Sequence, residues 1–128
     1  MTLVDGETLS IGQAASQAGI SAHTLRYYER LGLIDAVARG SRGERRYAAA
    51  DLDWIAFLKR LRVTGMPVRE MVRFADLRRR GDVTLPERAR LLEEHAGRVK
   101  NRIAELRGDL RAIAAKRAVL ESRSEEGR

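Results

Sequence analysis

Leucine, valine or isoleucine returns at every seventh position over one long stretch of this chain: Leu85, Leu92, Val99, Leu106, Ile113 and Leu120. Ala89, Ala96, Ile103 and Leu110 each follow one of the first four members by four residues. Alternating spacings of four and three place both series on one narrow stripe of a helix, the a and d positions of a coiled coil. A helix of about 35 residues with a single apolar stripe is not stable alone in water. It needs a partner, and in a chain of 128 residues the simplest partner is a second copy. Leu92, Ala96, Val99, Ile103, Leu106, Leu110, Ile113 and Leu120 are the expected dimerisation residues, with Arg117 interrupting the a series. The helix is expected over 84–121, opened by a capping box at Thr84-Leu85-Pro86-Glu87 and followed by a disordered tail, 122–128. His95 stands beside the stripe at a g position. It lacks metal-ligand partners at suitable spacing and reads as a polar flank.

The first 80 residues carry a different pattern. Residues 1–9 form an expected loose leader, and 10–80 a separate module. Ser10 and Gln13 fit a capping box, and Ile11, Ala14, Ala15 and Ala18 follow at helical spacing. Gly19 suits a left-handed helix stop, and Ser21 can cap the next helix. Two short helices joined by a tight turn read as helix-turn-helix, or as an ordinary αα corner. The second of them, in the run "SAHTLRYYERLGLI", has an unusual outer face. His23, Arg26, Tyr27 and Arg30 fall at i, i+3, i+4 and i+7, while Leu25, Tyr28 and Leu31 point the other way. Tyr hydroxyls and Arg forks both bond phosphate, and an Arg fork reads guanine in the major groove, which admits a helix.

Beyond Ile34 the helical period stops. "DAVARGSRGERRY" contains a turn at Gly40-Ser41-Arg42-Gly43 whose flanks can pair as a hairpin. Arg39, Arg42, Arg45 and Arg46 face a single Glu44 here, and a basic hairpin after a helix-turn-helix is the sequence form of a wing. Leu52, Ile55, Leu58 and Leu61 mark a third helix that Gly65 stops. Pro67 opens a fourth, expected to bury Val68, Met71, Val72 and Ala75. "RRRGDV", Arg78 to Val83, is the clearest boundary in the chain.

Composition narrows the function. The net charge is +7, and all of the 25 basic residues except Lys59, Lys100 and Lys116 are arginine. This suits a polyanionic partner. No Cys is present, which removes disulfides and thiolate metal sites. Nothing resembles a signal peptide, and no apolar run reaches the roughly 20 residues of a membrane span, so the expected location is cytoplasmic, with no membrane partner. Catalytic motifs are absent, the two histidines lie in different modules, and neither an enzyme nor a cofactor is expected.

"ISAHTLRYYERLGLI", then "RGERRY", then "FLKRLRVTGMPVREM", then the heptad helix together resemble the MerR family of bacterial transcription regulators, from about Ser10 to Leu120. The resemblance implies a mainly α fold: a winged helix-turn-helix with a small β-hairpin wing, a second wing of two helices, and a long dimerisation helix forming an antiparallel coiled coil. It implies a homodimer on pseudo-palindromic promoter DNA that bends and untwists the spacer so that RNA polymerase can engage both promoter elements. It makes Arg26 and Tyr27 contacts of the recognition helix, Arg39 and Arg45 phosphate contacts of the wing with Tyr47 closing it, and Arg62 a second-wing phosphate contact. The full expected DNA-binding set is Ser21, His23, Thr24, Arg26, Tyr27, Arg30, Arg39, Arg42, Arg45, Arg46, Tyr47 and Arg62. Ala48 and Pro67 stand where the family often has a capping Ser or Thr, so those helix ends need other donors and acceptors. The competing reading is an architectural or adaptor protein that bends DNA and recruits a different helix. A small-molecule effector site is a variant of the first reading.

Overall fold

A computed structural model describes residues 7–35 and 38–127. Along the chain come α1 (Ile11–Ala18), α2 (Ala22–Arg30), β1 (Ala38–Arg39), β2 (Arg45–Arg46), α3 (Ala49–Val63), α4 (Val68–Arg79), a 3₁₀ turn (Asp82–Thr84) and α5 (Leu85–Glu126). The fold is mainly helical with one small antiparallel hairpin, as expected. Two compact units are present, Met1–Leu91 and Leu92–Arg128.

In the first unit, the expected helix signals act as read. Ser10 Oγ accepts from Gln13 N at 3.2 Å while Gln13 Oε1 accepts from Ser10 N at 2.9 Å, a complete capping box. Gly19 closes α1 in the left-handed region at φ 71°, and a Cβ there would lie 2.5 Å from Lys59 Nζ. Ser21 Oγ caps α2 by accepting from Thr24 N at 3.0 Å. Ala48 has no side-chain acceptor to cap α3. Asp51 supplies half of a box instead, accepting from Ala48 N at 2.8 Å.

The core is aliphatic, with a small aromatic cluster. Leu25, Leu33, Ile55, Leu58, Met66 and Met71 are fully buried. Trp54, Phe57 and Phe74 sit with ring centroids 5.9–6.0 Å apart, and the Arg78 guanidinium lies 4.2 Å from the Trp54 ring centroid. This cluster corrects the expected face of α4. Met71 and Ala75 are buried, but Phe74 and Leu77 take the places expected for Val68 and Val72, which are only half-buried. A phenyl ring removes more apolar area from water than a valine does, and the helix turns to bury it.

Three further boundaries differ from the sequence reading. Thr8 and Leu9 are not loose: Leu9 is buried and exchanges two 2.8 Å backbone bonds with Tyr47. Residues 1–6 of the expected leader lie outside the described residues, and Glu7 is exposed. The Thr84 box does not form. Its hydroxyl lies within bonding distance of the carbonyls of Leu77 (2.6 Å) and Gly81 (2.8 Å), and Glu87 pairs with Arg73. Thr84 closes the 3₁₀ turn, its hydroxyl supplies a donor to a last-turn carbonyl of α4, and its oxygen accepts from Arg88 Nε at 3.1 Å. At the other end, α5 continues to Glu126 rather than giving way to disorder at 122, while Arg128 is outside the described residues.

The second unit is the rest of α5. Its stripe is exposed: Ile103, Leu106, Leu110, Ile113 and Leu120 keep 43–65% of their surface. His95, expected as a polar flank of the stripe, is the one buried residue of the helix among the described residues. No helix among the described residues is long and apolar enough to cross a membrane.

Candidate nucleic-acid interface

The orientation of α2 follows from its two buried side chains. Leu25 and Tyr28 are fixed in the core, three residues apart on one face. Burial raises the Tyr28 phenol above its ordinary value, opposed by the nearby positive charge of Arg62. With that face held inward, His23, Arg26, Tyr27 and Arg30 are all exposed. Tyr27 keeps 41% of its surface, and the Arg30 guanidinium lies 5.9 Å from its ring centroid. Three donor-bearing side chains and one imidazole thus project from two turns of helix. Ser21 is exposed and Thr24 half-buried. Their hydroxyls bond each other at 2.9 Å at the start of α2.

The wing forms by the expected turn. β1 pairs β2 with Ala38 opposite Arg46 and Arg39 opposite Arg45. Gly40 N donates to Glu44 O at 2.8 Å, Gly43 N donates to Gly40 O at 3.0 Å, and Gly43 takes φ 79°. Glu44 turns back over the loop, its carboxylate accepting from Arg42 N at 3.0 Å.

The four wing arginines do not share one environment. Arg42 is exposed at the turn, and its guanidinium has no partner among the described residues. Arg46 points to the opposite side of the strand, where Nε donates to Thr8 Oγ1 at 2.9 Å and Nη2 to Thr8 O at 3.3 Å. Arg45 Nε donates to Glu29 Oε2 of α2 at 2.5 Å, and Arg39 Nη2 lies 3.5 Å from Glu29 Oε1. Tyr47 must be reassigned. It is 1% exposed, so its side chain cannot reach nucleic acid. Burial first, and then the Glu29 charge, raise its phenol above the ordinary range. Tyr47 anchors the base of the wing.

Arg62 is exposed near the end of α3, with Nη1 donating to Met66 O at 3.4 Å and its charge felt by Tyr28. Helix α4 is tied to the segment after α2 by Arg79, which pairs with Asp35 and Asp76 and donates to the Gly32 carbonyl. Sequence reasoning missed the role of Glu29. Its signal was present: one acidic residue inside a run whose neighbouring polar positions are basic. Among the described residues no group of three or more His, Cys, Asp or Glu is placed to hold a metal. An open cavity of about 600 Å³ lies along α4 and the first turn of α5, lined by Arg69, Arg73, Asp76, Leu77, Arg80 and Glu87 among others.

Known proteins share this fold. Residues 9–77 match the family model for "MerR HTH family regulatory protein", and residues 52–115 match "MerR, DNA binding". An uncharacterised HTH-type transcriptional regulator of Haemophilus influenzae is 42% identical over 100 residues, covering 78% of this chain and 74% of that one. The HTH-type transcriptional regulator AdhR of Bacillus subtilis is 38% identical over 91 residues, covering 71% of this chain and 65% of that one. In the crystal structure of HiNmlR, a MerR family regulator lacking the sensor domain, bound to promoter DNA, the fold superposes with a TM-score of 0.80 at 40% identity. That match covers 87% of this chain and 88% of HiNmlR. A putative MerR family transcriptional regulator from Listeria monocytogenes also gives 0.80, at 38% identity over 84% of this chain and 82% of that one.

Proposed function

The chain belongs to the MerR family of HTH regulatory proteins, a family of DNA-binding transcriptional regulators rather than enzymes, and on that premise we propose how it acts. It binds a pseudo-palindromic promoter operator as a homodimer, each copy placing α2 in the major groove with a wing on either side. Arg26 reads base edges, Tyr27 and Arg30 bond backbone, and His23 lies at the helix start. Arg39, Arg42 and Arg62 meet phosphates on the flanks. The observation that carries this reading is the exposed set His23, Arg26, Tyr27 and Arg30 on a helix whose other face, Leu25 and Tyr28, is locked in the core.

The dimer reading is supported by the exposed a and d residues of α5, a seam that water does not favour. Two copies across that seam would bring two recognition helices to one operator. Bending and untwisting the DNA between them costs a few kcal/mol, offset by phosphate contacts of the wings. The distorted spacer lets RNA polymerase engage both promoter elements. A small-molecule effector reading rests on the cavity along α4, and a ligand-dependent rise in melting temperature tests it.

Footprinting on the promoter of the protein's own gene tests the mode of action. Protection centred between the −35 and −10 elements, with hypersensitive sites at its middle, is the expected result. Protection without any such distortion, on sites unrelated to promoters, would favour the architectural reading.

A further inference from the structure

We infer that Glu29 is a positioning residue for the whole interface: its carboxylate docks the wing on the recognition helix, keeps Arg45, and releases Arg39 to DNA. The inference rests on the DNA-binding reading above. In the register of the hairpin Arg39 and Arg45 stand directly opposite each other. Like charges at opposed positions destabilise a strand pair, and a two-stranded hairpin is marginal in water to begin with. Two residues per strand cannot hold such a pair together unaided. Glu29 lies across from both. Each of its oxygens takes one arginine, so one carboxylate from α2 cancels the cross-strand repulsion and fixes the wing's distance from the recognition helix.

The two halves of this clamp are unequal. Arg45 Nε meets Oε2 at 2.5 Å, with side chains only 25% and 18% exposed. Arg39 reaches Oε1 at 3.5 Å, is 46% exposed, and also donates to Gly43 O at 3.3 Å. A short, part-buried charge-assisted bond is retained when polyanion arrives, whereas a long, half-solvated one exchanges readily. A DNA phosphate therefore replaces Glu29 at Arg39 but not at Arg45. Wing arginines that look equivalent in sequence have different roles, Arg39 as a contact and Arg45 as part of the frame.

The test uses the full chain, a duplex that the wild-type protein enriches from a random pool, and a scrambled duplex. Glu29→Gln is expected to weaken binding to the enriched duplex about tenfold, the effect of losing a charge-assisted bond. Binding to the scrambled duplex should stay level or tighten, because a negative charge has left a basic surface. Hydrogen exchange at the Gly40 amide should quicken while core amides hold. Arg45→Lys keeps the charge but loses the Nε donor, and should reproduce the same split. Arg39→Gln should instead weaken both duplexes and reduce the salt slope by about one. Glu29→Gln or Arg45→Lys binding the enriched duplex as tightly as wild type would overturn the inference. Failure of the wild-type protein to enrich any sequence would overturn the DNA-reading proposal and this inference with it.

Discussion

The Trp54 indole donates its Nε1–H to the main-chain carbonyl of Leu33 at 2.7 Å. Leu33 follows α2 closely and Trp54 belongs to α3, so this bond couples α3 to the exit of α2. The same ring stacks on Phe74 with an interplanar angle of 18°. Trp54→Phe keeps an aromatic ring and removes the donor. It should lower stability by about 1–2 kcal/mol, seen as a lower urea midpoint at unchanged m-value. An unchanged midpoint would mean that the bond contributes nothing net.

The proposed roles of Arg26 and Arg42 separate base reading from phosphate binding. Arg26 projects from the middle of the exposed face of α2, and Arg42 from the tip of the wing. Arg26→Ala should reduce operator affinity about tenfold or more with little effect on a scrambled duplex. Arg42→Ala should weaken both alike and lower the slope of log affinity against log salt by about one. Equal losses on all sequences for Arg26→Ala would remove it from the base-reading group.

The α5 seam should fail at its most exposed members. Leu110 and Ile113 are each 65% exposed in the single chain. Leu110→Glu places a carboxylate in the seam of a dimer and leaves a lone helix nearly undisturbed. Sedimentation equilibrium should show a dimer for the wild type and a monomer for the variant. A variant that remains dimeric would move the interface elsewhere.

The two core tyrosines predict an alkaline limit. Burial raises both Tyr28 and Tyr47 above their ordinary value of about 10. Below that value, both folded and unfolded chains hold these protons, and the stabilisation is complete. As pH rises from there toward the folded values, the unfolded chain sheds protons that the native state keeps, and stability falls. Tyr47→Phe should flatten that loss in melting curves collected between pH 9 and 11, a window set around the ordinary tyrosine range. An equally steep loss in the variant would assign the effect to other groups.

Local signals in the sequence translated well into local structure. The Ser10–Gln13 box, the Gly19 stop, the Ser21 cap and the Gly40–Gly43 turn depend on residues within a few positions of each other, and each forms as read. The outward face of α2 was legible for the same reason, because helical period alone separates Arg26 and Tyr27 from Leu25 and Tyr28. The Thr84 box had an equally good local signature and failed. Thr84 ends a 3₁₀ turn that runs straight into α5, and its hydroxyl donates to the Leu77 carbonyl and accepts from Arg88 Nε at 3.1 Å.

The sequence by itself determined the element order, the exposed basic face of the second helix, the wing turn and the heptad stripe of α5. All of these are set by periodicity and by near neighbours in the chain. Tertiary structure alone decided which face of α4 is buried, that Tyr47 is an anchor beyond the reach of DNA, and that Leu9 belongs to the fold. It also divided the wing arginines, giving Arg46 to Thr8, Arg39 and Arg45 to Glu29, and Arg42 to solvent. These outcomes join residues far apart in the chain, and arginines with the same intrinsic chemistry. Only the position of a partner, the Glu29 carboxylate or the Thr8 hydroxyl and carbonyl, tells one from another.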